Sequence, residues 1–292
     1  MIATIGYFDG MHEGHRYVIS QVMQLAEKRG DGSIIFTFDR HPATLFRPDR
    51  VPQPLLTPEE KMEKIAACGV DDAVMFEFDA DFASITSREF LEILREDYGV
   101  TTLLLGYDNH FGKKETDDDG NTITPTFADN QRMGQETGVN IRLLTPLSDT
   151  PTSSTMIRRL LLDGNITEAN SRLGYRYRIS GTVVSGEQIG RQIGFPTANI
   201  NVEGKLIPKS GVYAVEVCCP EPRKALLNIG SRPTFGGNGN TIEAHILDYN
   251  GNLYGNTIAV EFLQRIRDEQ HFPTPEELIR QINRDMERVK AL

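Results

Sequence analysis

The chain has 292 residues, 39% of them hydrophobic and 25% charged, which is ordinary for a globular protein but more than one hydrophobic core usually serves, so two domains are expected. With 31 Lys+Arg against 41 Asp+Glu the formal charge is −10, which argues against electrostatic wrapping of nucleic acid and leaves room for small anions held by local donors. No apolar run is long enough for a membrane span, no secretory leader is visible, and three cysteines (Cys68, Cys218, Cys219) form an odd set, so a cytoplasmic protein with reduced thiols is expected.

From residue 1 to about 145, β-rich runs alternate with segments of helical period: "IATI", 13–29, "SIIFTF", 58–68, "AVMFEF", 87–98, "VTTLLLG", 127–137 and "VNIRLL". That alternation predicts a parallel α/β sheet. "TPEE" at 57–60 and "TSRE" at 86–89 read as capping boxes that start two of the helices. Within 13–29, Val18, Val22, Leu25 and Ala26 recur at spacings of three and four and predict the stripe that packs on the sheet.

Between the first strand and that helix runs "GYFDGMHEGH", residues 6–15. Ligands of open parallel sheets sit at the carboxyl ends of strands, where a following helix offers free N–H groups to anions. Gly6, Gly10 and Gly14 let backbone approach a phosphate, and His12 and His15 can donate imidazole N–H groups to the same oxygens. A zinc site would need further ligands at suitable spacing, and neither a Walker A nor a Rossmann glycine pattern is present. Taken alone, these residues also fit a tight loop that the glycines merely turn.

Near 150 the texture changes to a hydroxyl-rich loop, a helix with Ile157, Leu160 and Leu161 on its apolar face, and a second short helix. After Gly174 the pattern is all-β: "YRISGTVV", "GVYAVEVCC", "KALLNIG", "TIEAHILDYNGNLYG" and "TIAVEFLQRI" predict a small barrel, with a hairpin turn at Asn250-Gly251. Glycines at 181, 186, 190 and 194 mark either backbone left bare for a ligand or bulges and barrel corners. Thr274, Pro275 and Glu277 cap a closing helix whose Leu278, Ile282, Met286 and Val289 are expected to cover one side of the barrel. The domains are drawn at 1–174 and 175–292.

"GYFDGMHEGH" resembles the signature of the nucleotidylyltransferase superfamily, in the form found in prokaryotic bifunctional riboflavin kinase/FAD synthetases. "TFDRHP" (37–42), "LLTPEEKMEKI" (55–65), "LLLGYDNHFG" (103–112) and "SSTMIRRLL" (153–161) follow in that family's order. The resemblance implies that His12 and His15 contact the phosphates of ATP within a loop that includes Gly6, Phe8, Asp9, Gly10 and Gly14. It implies that Ser153, Ser154 and Thr155 with Arg158 close over those phosphates, and that Asp108 lies on the flavin side. His41 reads as a turn or packing residue. Asn109 and His110, where relatives carry an aromatic and a basic residue, and the acidic stretch 115–119 depart from the pattern and bear on the local flavin contacts.

In the second half, "GFPTAN" resembles the flavokinase motif, which implies that Thr197 and Asn199 hold magnesium and ATP phosphates, with Gly186, Gly190 and Gly194 in the same ATP-binding stretch. The family's catalytic base falls on Glu243, and Arg191 is a further phosphate candidate. The implied fold is a Rossmann-like α/β nucleotidylyltransferase domain, then a flavokinase-type Greek-key barrel with a C-terminal helix. The implied chemistry is riboflavin plus ATP to FMN in the barrel, then FMN plus ATP to FAD and pyrophosphate in the α/β domain. Both steps are expected to need Mg2+, with riboflavin, FMN, FAD and ATP as partners, and neither nucleic acid nor membrane.

Overall fold

The computed structural model describes residues 1–106, 126–145, 147, 152–186, 189–219, 221–230 and 241–292, with backbone pairing alone at 115–116 and 122–123. The chain forms two compact units, Met1–Ser153 and Ser154–Leu292.

The first unit is built on a five-stranded parallel sheet of β1 (Ile2–Ile5), β2 (Ser33–Phe38), β3 (Asp72–Phe76), β4 (Thr102–Leu105) and β5 (Asn140–Leu143). Their order is β3-β2-β1-β4-β5. The buried runs "IATI" and "TLLL" belong to central strands covered on both faces, as parallel sheets require. Winding proceeds one way from β1 to β3 and the other way through β4 and β5, so the loop after β1 opens at the point where the strand order reverses.

The sheet is covered by α1 (Glu13–Arg29), α2 (Pro58–Ala66), α3 (Ser87–Glu96) and α4 (Phe127–Thr137). Both expected capping boxes form: Thr57 accepts from the Glu60 N–H and Thr86 from the Glu89 N–H, with each glutamate reaching back. Ile19, Val22 and Ala26 are the buried residues of α1, while Val18 and Leu25 sit at the margins, so the packing stripe is rotated from the predicted one. Ile19 rather than Val18 lies at the centre of the face that meets the sheet, where α1 packs mainly on β1 and β2.

In the second unit, α5 (Ser154–Asp163) and α6 (Ile166–Leu173) precede a closed antiparallel barrel. Its strands are β6 (Arg178–Val184), β7 (Ala198–Asn201), β8 (Gly211–Cys218), β9 (Pro222–Gly230), β10 (Thr241–Ile246) and β11 (Thr257–Arg267), arranged β8-β9-β10-β7-β6-β11. Asn170 Nδ2 donates to Phe262 O at 2.8 Å and the Lys209 N–H donates to Leu161 O at 3.0 Å, so both helices pack with the barrel. The boundary at 174 marks where the β texture begins, whereas packing groups residues 154–173 with the strands that follow. Closing helix α7 (Pro275–Ala291) buries Val289 and packs Ile282 and Met286 against Val212, Ala214, Leu226 and Ile266.

The hairpin predicted at Asn250-Gly251 does not form. Strand β10 pairs with β9 and β7 instead of β11, and Asp248 takes a left-handed φ of 55° that turns the chain away. The segment returns to pair with β6, where the Val183 N–H donates to Asn256 O and the Gly255 N–H to Val183 O, each at 2.9 Å.

Candidate active sites

The loop after β1 is coiled tightly, with Phe8 at φ 51°, Gly10 at 80° and Met11 at 38°. Two consecutive left-handed residues at 10 and 11 reverse the chain so that His12 becomes the N-cap of α1, without a side-chain capping bond. Gly6 and Gly14 serve ring packing: a Cβ at Gly6 would press on the Phe8 ring at 3.0 Å, and one at Gly14 on the His12 ring at 3.3 Å. Asp9 is buried, and its carboxylate accepts from the Leu55 N–H at 2.9 Å and the Leu56 N–H at 3.1 Å, pinning the loop to the segment ahead of α2. Phe8 is buried too and meets the His15 ring edge-on at 5.3 Å. Phe8 and Asp9 thus shape the loop from behind.

His12 and His15 stack, with ring centroids 3.7 Å apart and planes 20° from parallel. Both Nδ1 atoms are buried without a hydrogen-bond partner, a cost of about 1–3 kcal/mol each that a ligand can relieve. Burial lowers the His12 pKa to about 4, helped by the positive charge of Arg16 and opposed by Glu13. Burial also holds His15 well below the ordinary histidine value, with His12, Arg16 and Lys61 adding to the effect. At neutral pH the pair is uncharged, so it can offer hydrogen bonds to phosphate oxygens but not fixed positive charge.

Fixed charge comes from Lys61, which the sequence reading did not single out although it lies inside "LLTPEEKMEKI". Lys61 sits on α2, only 2% exposed, with its ammonium donating to Phe38 O and lying 4.1 Å above the Tyr7 ring. Burial lowers its pKa to about 8 against the opposing pull of Asp9 and Asp39. No local signal marks it, because a lysine four residues after the Thr57 cap would ordinarily reach solvent. His41 accepts the Ala43 N–H at 3.0 Å and meets Tyr7 edge-on at 4.9 Å, the turn and packing role expected of it.

The end of this unit returns to the same loop. Thr152, 5% exposed, donates its hydroxyl to Glu13 on the first turn of α1, and its carbonyl oxygen lies near Gly14. Ser153 follows directly, while Ser154, Thr155 and Arg158 belong to α5 in the second unit. Asp108, Asn109, His110 and the side chains of 115–119 lie outside the described residues.

In the barrel, β10 and β7 are joined by two residue pairs, Glu243↔Asn199 and Ala244↔Ala198. Burial alternates along β10, with Ile242, Ala244 and Ile246 buried and Thr241, Glu243 and His245 on the other face. Thr197 Oγ1 donates to Glu243 Oε2 at 3.3 Å. That bond is long for a hydroxyl donor, so Thr197 is not fully engaged and retains lone pairs for a ligand. The glycines resolve into separate jobs. A Cβ at Gly186 would overlap the Asn199 carboxamide, and one at Gly190 the Phe195 carbonyl; Gly194, at φ 88°, has open space where a Cβ would be. Gly186 and Gly190 therefore let the loop close on the "PTAN" segment. A cavity of about 310 Å³ adjoins it, lined among others by Arg191, Thr197, Tyr249 and Tyr254. The displaced 249–254 loop supplies those tyrosines. Among the described residues no cluster of three or more His, Cys, Asp or Glu side chains could hold a metal ion.

Residues 1–155 match the FAD synthetase family and residues 173–292 the riboflavin kinase family. The chain is 37% identical over 289 residues to a bifunctional riboflavin kinase/FMN adenylyltransferase of Escherichia coli (strain K12), covering 97% of this chain and 90% of that protein. It is 34% identical over 290 residues to the protein of the same description from Bacillus subtilis (strain 168), covering 97% and 90%. A crystal structure described as a macrolide-efflux protein from Streptococcus pneumoniae shares the fold with a TM-score of 0.87 at 30% identity, over 99% of this chain and 94% of that one. Among the described residues no helix is long and apolar enough to cross a membrane. With both halves matched in order and the relatives aligned almost end to end, the chain belongs to the bifunctional riboflavin kinase/FMN adenylyltransferase family, FAD synthetase half first and riboflavin kinase half second.

Proposed function

We propose that the two reactions run at the two sites described above, with the phosphate-loop histidines serving adenylyl transfer and Glu243 serving phosphorylation. In the first reaction FMN brings an already ionised phosphate to attack the α-phosphorus of ATP, and pyrophosphate leaves. No proton need be removed, so positioning and charge stabilisation suffice. Neutral His12 and His15 donate to the phosphates, Lys61 contributes positive charge behind them, and Phe8 and Asp9 hold the loop. Motif order assigns Ser153, Ser154, Thr155 and Arg158 to the same phosphates and Asp108 to the flavin.

In the second reaction the attacking group is a neutral ribityl hydroxyl. Its proton must go to a base as the γ-phosphoryl group transfers, and we assign that role to Glu243. Thr197 and Asn199 offer the neutral oxygens that suit magnesium, an ion that keeps water and substrate phosphate among its ligands and spreads the phosphate charge when bound. The half-engaged Thr197 hydroxyl fits that role. Arg191 and the two tyrosines make the adjoining cavity suitable for a nucleotide's anionic and aromatic parts. Residues 154–173 fold with the barrel yet carry Arg158, so the functional boundary at 174 and the packing boundary at 153 need not coincide. We place the enzyme in the cytoplasm, where its free Cys68, Cys218 and Cys219 stay reduced.

The observation that carries this reading is the register pairing of Glu243 with Asn199, with Thr197 Oγ1 at 3.3 Å from the same carboxylate. Thr197→Val removes the hydroxyl and keeps the shape. FMN formation should then demand more magnesium while FMN-to-FAD conversion is unchanged; an unaltered magnesium dependence of the kinase step would refute the assignment.

A further inference from the structure

Among the described residues, two residue pairs join β10 to β7, although closing the barrel depends on that seam. Continued in the same antiparallel register, His245 would face Thr197, but the chain ahead of Ala198 has left the strand and Pro196 has no N–H to give. A side chain takes over there. His245 Nδ1 lies 2.9 Å from Pro196 O, and because a carbonyl only accepts, the proton is on Nδ1. The same ring meets Phe195 edge-on at 5.6 Å.

Among the described residues, 190–197 has two backbone bonds within the loop: the Phe195 N–H donates to Gly190 O at 2.8 Å, and the Gly194 N–H to Arg191 O at 3.3 Å. These bonds close the loop on itself without tying it to β10. Glu243 and His245 are two residues apart on one strand and share a face, so both address this loop. Glu243 accepts from Thr197, and His245 donates to the residue before it.

We propose that His245 is a positioning residue of the kinase site: its Nδ1–H bond to Pro196 O extends the β10–β7 seam by one rung and holds Thr197 and the glycine loop in place to receive the phosphates of ATP. This rests on the reading of Glu243 and Thr197 given above. His245 itself touches neither substrate nor reacting atoms.

Two replacements separate the hydrogen bond from the ring. His245→Phe keeps the contact with Phe195 and loses the donor; His245→Asn puts an N–H at the position of Nδ1. In the kinase assay the Phe variant should raise KM for ATP roughly tenfold, as loss of one hydrogen bond allows, with kcat and KM for riboflavin nearly unchanged. The Asn variant should return KM for ATP to within about twofold of the parent. FMN-to-FAD conversion by the same samples controls for integrity. In wild-type protein labelled with 15N, His245 should show a proton on Nδ1. The inference fails if the Phe variant keeps the parent KM for ATP, if Asn is as impaired as Phe, or if the ring carries its proton on Nε2 alone. Glu243→Gln tested alongside tells the two failures apart: its retaining full kinase activity would sink the underlying reading instead.

Discussion

The two sites use the same co-substrate and are built on opposite electrostatic plans. In the α/β unit, His12 and His15 are stacked and uncharged with their Nδ1 atoms buried, with a buried lysine behind them and a carboxylate, Asp9, turned away to hold backbone. In the barrel, the carboxylate of Glu243 stands on the outward face of its strand beside hydroxyl and amide oxygens. On the reading proposed above, the difference follows the nucleophile. A phosphate that is already ionised needs donors and charge, and a carboxylate near it would repel it; a neutral hydroxyl needs a base.

That contrast is broken most sharply at Glu243. Glu243→Gln preserves shape and removes the base, and should cut FMN formation from riboflavin by about 10²–10⁴ while leaving FMN-to-FAD conversion intact, as chromatography of flavins from each substrate will show. His12→Ala should do the reverse, lowering FAD formation from FMN by about 10²–10³, the loss expected when one donor to a developing charge is deleted. Equal loss of both reactions in a folded variant would mean that the sites are not separate.

A third test concerns the histidines as neutral donors. With a folded pKa of about 4 against 6.5 unfolded, His12 binds fewer protons in the native state across that interval. Its contribution to stability is therefore present above about pH 6.5 and lost as pH falls towards 4, on the order of 3 kcal/mol over the window, with His15 acting in the same direction. Proton NMR of the ligand-free protein should show neither ring titrating between about pH 5.5 and 7.5, the range of an ordinary histidine. A midpoint near 6.5 for His12 would contradict the burial that the stacked pair implies.

Much of the architecture was legible because its causes are local. Thr57 and Thr86 announce helices by chemistry three residues long, and the alternation of strand and helix announces a parallel sheet. The Thr126 cap went unread because Asp129, rather than Glu or Gln, closes the box. What stayed hidden is non-local. Asn250-Gly251 looks like a hairpin, yet β10 finds a better neighbour in β7, where Glu243 pairs with Asn199 far earlier in the chain. Lys61 and Asp285 have the composition of surface residues. One is buried above Tyr7, the other is fully buried against Arg267 at 2.8 Å, tying α7 to β11. Of the site, residue types and order were readable in "GYFDGMHEGH" and "GFPTAN", whereas the stacking of His12 on His15 and the Thr197–Glu243 contact depend on loops whose shape comes from packing elsewhere.

The most direct measurement mixes the two disabled variants. Glu243→Gln alone should make no FAD from riboflavin, and His12→Ala alone should stop at FMN. Combined in one reaction with riboflavin, ATP and magnesium, they should yield FAD, with FMN made by one protein and consumed by the other. A mixture that forms FMN but no FAD would contradict the claim that adenylyl transfer has its own site, which Glu243→Gln leaves intact; FMN formed at the parental rate by Glu243→Gln alone would contradict the assignment of the base.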